Sequence, residues 1–158
     1  MVIVANTMMI CSCSNNEKRF EKYYEKNGCK NLVLKIYYVV PSTLTNMALS
    51  VDDLVNGSDQ FVTYVFVDSD ELNNHKELVE KLAKTDNVEL KKEKNINARV
   101  YYLFETKDGK KLFDCCLWGG KNFIVNGKCV EDNDIYIEAI LPYVSGETFE
   151  QLSNTLKK

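Results

Sequence analysis

The pattern of apolar residues predicts an α+β fold: an antiparallel sheet of about five or six strands ending in a C-terminal meander, one main amphipathic helix packed on it, and short terminal helices. Three observations carry this expectation. Runs at 32–40 (LVLKIYYVV), 61–67 (FVTYVFV), 99–105 (RVYYLFE) and 111–118 (KLFDCCLW) are rich in β-branched and aromatic residues, which suit a pleated surface. Asp108-Gly109 and Asn126-Gly127 are dipeptides favoured in tight hairpin turns. Leu72, Leu78, Val79, Leu82 and Ala83 recur at three- and four-residue steps, so they share one face of a helix.

Taken in chain order, 20–26 (FEKYYEK) places Phe20, Tyr23 and Tyr24 at helical spacing, and Asn27-Gly28 supplies a stop. The strand at 32–40 is ended by Pro41, which lacks the N–H a ladder requires. Residues 42–59 read as a long connection with one helical turn near 51–55. The run at 61–67 is continuous in apolar and β-preferring residues and is expected to sit centrally, covered on both faces. Asp68, Ser69 and Asp70 offer capping oxygens to a helix over 69–84, whose other face carries Glu77 and Lys81 in the favourable i, i+4 order. The strands at 99–105 and 111–118 form one hairpin and those at 122–125 and 128–130 a second, with Gly119-Gly120 as the turn between them. Residues 135–143 favour a helix that Pro142 interrupts late, and 147–156 make a final amphipathic helix before Lys157-Lys158.

The bulk numbers are those of a globular chain. Its 158 residues suit one domain with a core of its own, and seven glycines with two prolines are too few for a linker-dominated sequence. Twenty basic against 23 acidic residues give a formal charge of −3, without the basic excess that nucleic-acid binding draws on. No stretch approaches the ~20 consecutive apolar residues of a bilayer-spanning helix.

The first residues stand apart. Residues 1–10 (MVIVANTMMI) are mostly apolar, Cys11-Ser12-Cys13 follows, and the composition then turns polar at 14–19. Ile10-Cys11-Ser12-Cys13 resembles the lipobox of bacterial lipoproteins, in which an aliphatic and two small residues precede the cysteine that is lipidated. The resemblance implies a truncated signal and lipobox segment at 1–13, lipidation of Cys13, and a tether with a short helix at 14–30 leading to an α+β domain at 31–158. It also implies a cell-envelope location, with the membrane as a partner through the lipid anchor. The competing expectation is a cytoplasmic interaction module of immunity type, in which residues 1–10 form a core strand.

Chemistry is sparse. The cysteines stand at 11, 13, 29, 115, 116 and 129. With Cys11 removed and Cys13 lipidated, four remain, an even number compatible with disulfides in an oxidising compartment. Alternation along a strand sends Cys115 and Cys116 to opposite faces. A bond between Cys116 and Cys129 is open if the meander brings their Cα atoms within about 7 Å; otherwise these are small buried apolar residues. A zinc site from Cys115, Cys116, Cys129 and His75 has suitable ligand types but the wrong spacing for its adjacent pair. His75, the one histidine, falls among charged and amide neighbours, which suits an exposed helical position. Asp52-Asp53, Asp132 and Asp134 lack the calcium-loop pattern, and Gly119-Gly120-Lys121 lacks the rest of a phosphate-binding loop. The expectation is therefore a non-enzymatic binding domain without a metal or other cofactor. Its candidate surface is formed by Tyr38, Tyr64, Tyr101 and Trp118, strand aromatics of the kind enriched at interfaces, and its ligand is an unknown protein or small molecule.

Overall fold

Six antiparallel strands in the order β2-β1-β3-β4-β5-β6 make one open sheet in the computed structural model, which describes residues 18–40, 47–57, 61–91, 97–118 and 122–157. The strands are β1 (Leu32–Tyr38), β2 (Thr63–Val67), β3 (Val100–Thr106), β4 (Lys111–Trp118), β5 (Asn122–Val125) and β6 (Lys128–Val130). The helices are α1 (Arg19–Asn27), α2 (Val51–Asn56), α3 (Ser69–Asn74), α4 (Lys76–Ala83), α5 (Ile135–Glu138) and α6 (Gly146–Leu156), with a 3-10 turn at Leu141–Tyr143. The α+β class and the C-terminal meander are as the sequence predicts. Residues 1–13, and with them Cys13, lie outside the described residues, as do Gly119-Gly120.

Local chemistry explains the meander. Gly109 closes the β3–β4 hairpin at φ +86°, with its N–H donating to Thr106 O at 2.8 Å. Asn126 and Gly127 both take positive φ between β5 and β6, the backbone a two-residue hairpin requires. The β3–β4 register shifts between Phe104 and Glu105, so Phe104 faces Phe113 while Glu105 faces Lys111 and Leu112 is the extra residue of a bulge.

Alternation sorts the side chains between two unequal layers. Leu32, Leu34, Ile36 and Tyr38 of β1 and Val100, Tyr102 and Phe104 of β3 join Cys115, Leu117, Phe123 and Val125 on one face. Phe20 of α1, Leu72 of α3, Val79 and Leu82 of α4, Tyr136 of α5 and Leu152 of α6 complete that cluster, so five helices cover this face. Tyr102 Oη donates to Tyr136 O at 2.8 Å, pinning α5 to the middle of the sheet without leaving a buried hydroxyl unpaired. The opposite face buries Val39, Leu54, Ala98, Tyr101, Cys116 and Ile124, and α2 is the helix that contributes to it.

Three expectations need correction. The single helix over 69–84 is two, because the chain leaves helical geometry at His75 (φ −122°, ψ 30°). Asn73 and Asn74 are poor helix interior residues whose amides compete for backbone, and Asp68 caps only the first piece, through the Asp70 and Glu71 amides. The run at 61–67 is not central: β2 is an edge strand with Tyr64 and Phe66 half exposed, because an unbroken apolar run does not reveal how many faces are covered. Residues 135–143 form a four-residue helix and a separate 3-10 turn that starts at the boundary Pro142 imposes.

Phe104 is fully buried and packs against Phe20 (ring centroids 4.9 Å apart), Tyr102 and Phe113. Phe104→Ala is expected to lower unfolding free energy by about 3–5 kcal/mol in urea titrations, whereas the exposed Val88→Ala stays within about 0.5 kcal/mol of the parent.

Candidate functional site: a cleft between the thin helix and the sheet

The second face is built from the odd-numbered residues of β1 and β3. Register places Tyr64, Tyr37, Tyr101 and Cys116 in one row across β2, β1, β3 and β4, and Phe66, Lys35, Leu103 and Asp114 in the next. The ring centroids of Tyr37 and Tyr64 lie 4.9 Å apart and those of Tyr37 and Tyr101 6.3 Å apart, so the first row is a continuous aromatic strip that runs from the exposed Tyr64 to the buried Tyr101.

α2 stands over part of this strip. Six residues are too few for a helix to hold itself, and two devices support it. The Ser50 hydroxyl accepts from Asp53 N at 3.1 Å while Asp53 Oδ2 accepts from Ser50 N at 2.7 Å, a reciprocal capping box. The Ser50 backbone bond is also the main reason the Asp53 carboxyl sits below the usual carboxylate range. Leu54 is buried on the sheet, and Leu49 is tied to the approach to β3 by Ala98 N donating to Leu49 O at 2.7 Å. Between helix and sheet runs a cleft of ≈ 440 Å³ with Lys35, Tyr37, Tyr101 and Leu103 as floor and Val51, Asp52, Val55 and Asn56 as wall.

The charges on the cleft floor are matched. Lys35 pairs with Glu105, and the hydrogen bond to that carboxylate is the main cause that raises the lysine pKa. Tyr101 Oη donates to Asp114 Oδ2 at 3.1 Å, and Lys111 Nζ reaches the same oxygen at 2.7 Å. Burial, then the nearby Asp114, raises the Tyr101 phenol pKa. Asn56 Nδ2 donates to Asp52 Oδ1 at 2.7 Å on the wall. The cleft presents phenol rings and apolar side chains around an internally neutralised ion pair, with the Asp52 carboxylate and the Asn56 amide on its wall.

Of the aromatic residues expected to form a surface, Tyr64 and Tyr101 share this face. Tyr38 does not: it has the parity of Leu34 and Ile36, is 5% exposed and belongs to the helix-covered core. The side chain of Trp118 lies outside the described residues. Tyr37, Lys35 and Leu103 were not singled out from sequence, although the charge at Lys35 marks the odd-numbered face of β1 as the one nearer solvent.

The Cys116–Cys129 disulfide is also corrected. Cys116 faces Ile124 and Ile124 faces Cys129, so a whole strand separates the two cysteines. Two strand spacings amount to about 9–10 Å, beyond the ~7 Å limit of a disulfide, and Cys29, Cys115, Cys116 and Cys129 are all buried free thiols. Cys115 and Cys116 lie in opposite clusters, as alternation requires. His75 is exposed at the break between α3 and α4, edge-on to Tyr143 at 5.5 Å. No group of three or more metal-ligating side chains converges among the described residues, and no helix there is long and apolar enough to cross a membrane. Compared with known proteins, the chain matches no family model, no curated protein and no solved structure.

Burial is the main cause that pushes the Cys116 thiol from 9.0 up to about 12. At about pH 8 its thiolate fraction is thereby roughly a thousandfold below that of a free cysteine, so iodoacetamide with mass mapping is expected to leave Cys116 unmodified in the folded protein and alkylate it in denaturant. Because the folded pKa is the higher one, this stabilisation is complete below about pH 9 and is lost as pH rises towards 12. The urea midpoint should fall across that window, and less steeply in Cys116→Val.

Proposed function

We propose that this chain is a non-enzymatic binding protein of the bacterial cell envelope, tethered by a lipid on Cys13 and holding a small, neutral, amphipathic ligand in the cleft beneath α2. The cleft is the observation that carries the binding reading. At ≈ 440 Å³ it falls within the roughly 300–1,000 Å³ of small-molecule sites, and aromatic and aliphatic walls with a few fixed polar groups are their usual lining. The Lys35–Glu105 pair leaves the floor without net charge, and the Asp52 carboxylate on the wall is engaged by the Asn56 amide, which disfavours an anion. The thiols of Cys29, Cys115 and Cys116 are buried with raised pKa values, which argues against a poised cysteine nucleophile. Ile10-Cys11-Ser12-Cys13 supports the anchor and the envelope location.

The ligand site is tested by titrating the full chain, with Cys13→Ser to keep it unlipidated, with neutral aromatic and alkyl-glycoside fragments followed by NMR. Shifts are expected at Lys35, Tyr37, Val55 and Leu103, and Tyr37→Ala, compared at a temperature where it remains folded, should weaken any hit at least tenfold, about 1.4 kcal/mol. Fragments that perturb only other surfaces would count against the cleft.

The anchor is tested in a bacterial host. Expression should yield a membrane-bound form whose mass carries a lipid on Cys13, abolished by Cys13→Ser; protein from its native host that retains Met1 would reject it. Deleting residues 1–13 should leave Tm unchanged, whereas a loss of several degrees would favour the cytoplasmic module with a core strand there.

A further inference from the structure

The two edges of the sheet are finished differently. Alongside β6, Leu90 N donates to Cys129 O at 2.8 Å, Glu131 N donates to Val88 O at 2.9 Å, and Glu89 pairs with Lys128 at 3.0 Å, so residues 88–90 occupy that edge. At the other edge β2 pairs with β1 and, among the described residues, with nothing beyond it. Its sequence, Thr63-Tyr64-Val65-Phe66-Val67, has no charge, no proline and no bulge, the usual devices that stop an edge from pairing. Tyr64 is 50% exposed and Phe66 52%, both directed to the face opposite the helices.

We propose that β2 is the seam of a homodimer, pairing antiparallel with β2 of a second copy about a two-fold axis at Val65. The register follows from symmetry and from the pleat. An isologous contact must place each residue against its mirror position in the strand, and only a centre on Val65 engages all five residues at once. Tyr64 then faces Phe66 of the second copy and Phe66 faces its Tyr64, two aromatic cross-strand pairs on the outer face. Val65 meets its own counterpart and Thr63 meets Val67 on the other. Beyond the strand, Asp68 falls opposite Val62, so no like charges meet anywhere along the seam. A neutral, self-complementary strand offers nothing to select a charged foreign strand, and its best partner is itself.

A five-residue seam is short beside the ~1,200–2,000 Å² of a standard stable interface, so the dimer belongs with weak, reversible contacts. Sedimentation velocity of the unlipidated full chain from about 1 to 200 μM should show the mass rising from 18.2 kDa towards double that value. The register is read from two charge variants at these half-exposed positions, each checked for an unchanged circular-dichroism melt. Tyr64→Lys with Phe66→Lys sets like charges across the seam and should weaken association at least tenfold. Tyr64→Lys with Phe66→Glu sets opposite charges there and should associate at least tenfold more tightly than the first variant at low salt. A wild-type chain that stays at 18.2 kDa throughout, as when another segment holds the edge or it is reserved for a foreign strand, overturns the proposal. So do two charge variants that associate equally.

Discussion

The strict alternation of side chains along β1 and β3 is the constraint on which the other features rest. β1 is hydrogen-bonded on both sides, and its even-numbered residues Leu32, Leu34, Ile36 and Tyr38 all point into the helical layer. A slip of one residue would drive Lys35 into that layer and send Leu34 to the other face, a change that costs several kcal/mol for the stranded charge alone. The bulge at Leu112 and the turns at Gly109 and Asn126-Gly127 carry the same register outward to β4, β5 and β6. The Tyr102–Tyr136 hydrogen bond then fixes where α5 lands on it.

From this parity follows the asymmetry of the two faces. The first receives five helices and a continuous apolar cluster, which is where most of the stabilisation from burial resides. Among the described residues the second receives one six-residue helix resting chiefly on Leu54, and a cleft lies between that helix and the sheet. A helix of that length depends on its capping box and its single anchor, and such elements open at lower free energy than the core beneath them. In the Lys35–Glu105 pair the carboxylate is buried and the lysine is less so, and the charge of Lys35 offsets the cost of holding Glu105 away from water.

Much of the architecture was legible in the sequence, because the strands and turns were written in residues whose backbone preferences are strong. Asp108-Gly109 and Asn126-Gly127 specify hairpins by themselves, and the helical stripe from Leu72 to Ala83 has no comparable strand reading. What was misread depended on tertiary context. Tyr37 and Tyr38 are chemically identical neighbours; the charge at Lys35 is the one local hint of which faces away from the helices, and pairing to Tyr101 and Val100 respectively fixes it. The edge position of β2 could not be inferred from FVTYVFV, since an exposed aromatic edge and a doubly covered central strand have the same composition. The cleft itself arises from where α2 comes to rest, a consequence of Leu49, Leu54 and Asn97 that no local pattern announces.

Tyr37 occupies the position that joins the two ends of the second face. Its ring touches Tyr101, which belongs to the cleft floor, and Tyr64, which belongs to the outer strand. Side chains in direct contact do not contribute independently to stability or binding, so changes at Tyr37 and Tyr64 are coupled by geometry. A substitution at Tyr37 therefore releases a constraint on the Tyr64 ring as well as altering the cleft. Leu103 lies in the neighbouring row, flanked by Lys35 and Asp114 rather than by the tyrosines, and so reports on the cleft floor without passing through that strip. Comparing the two positions separates what the cleft does from what the edge strand does, because the sheet's register places them in different rows.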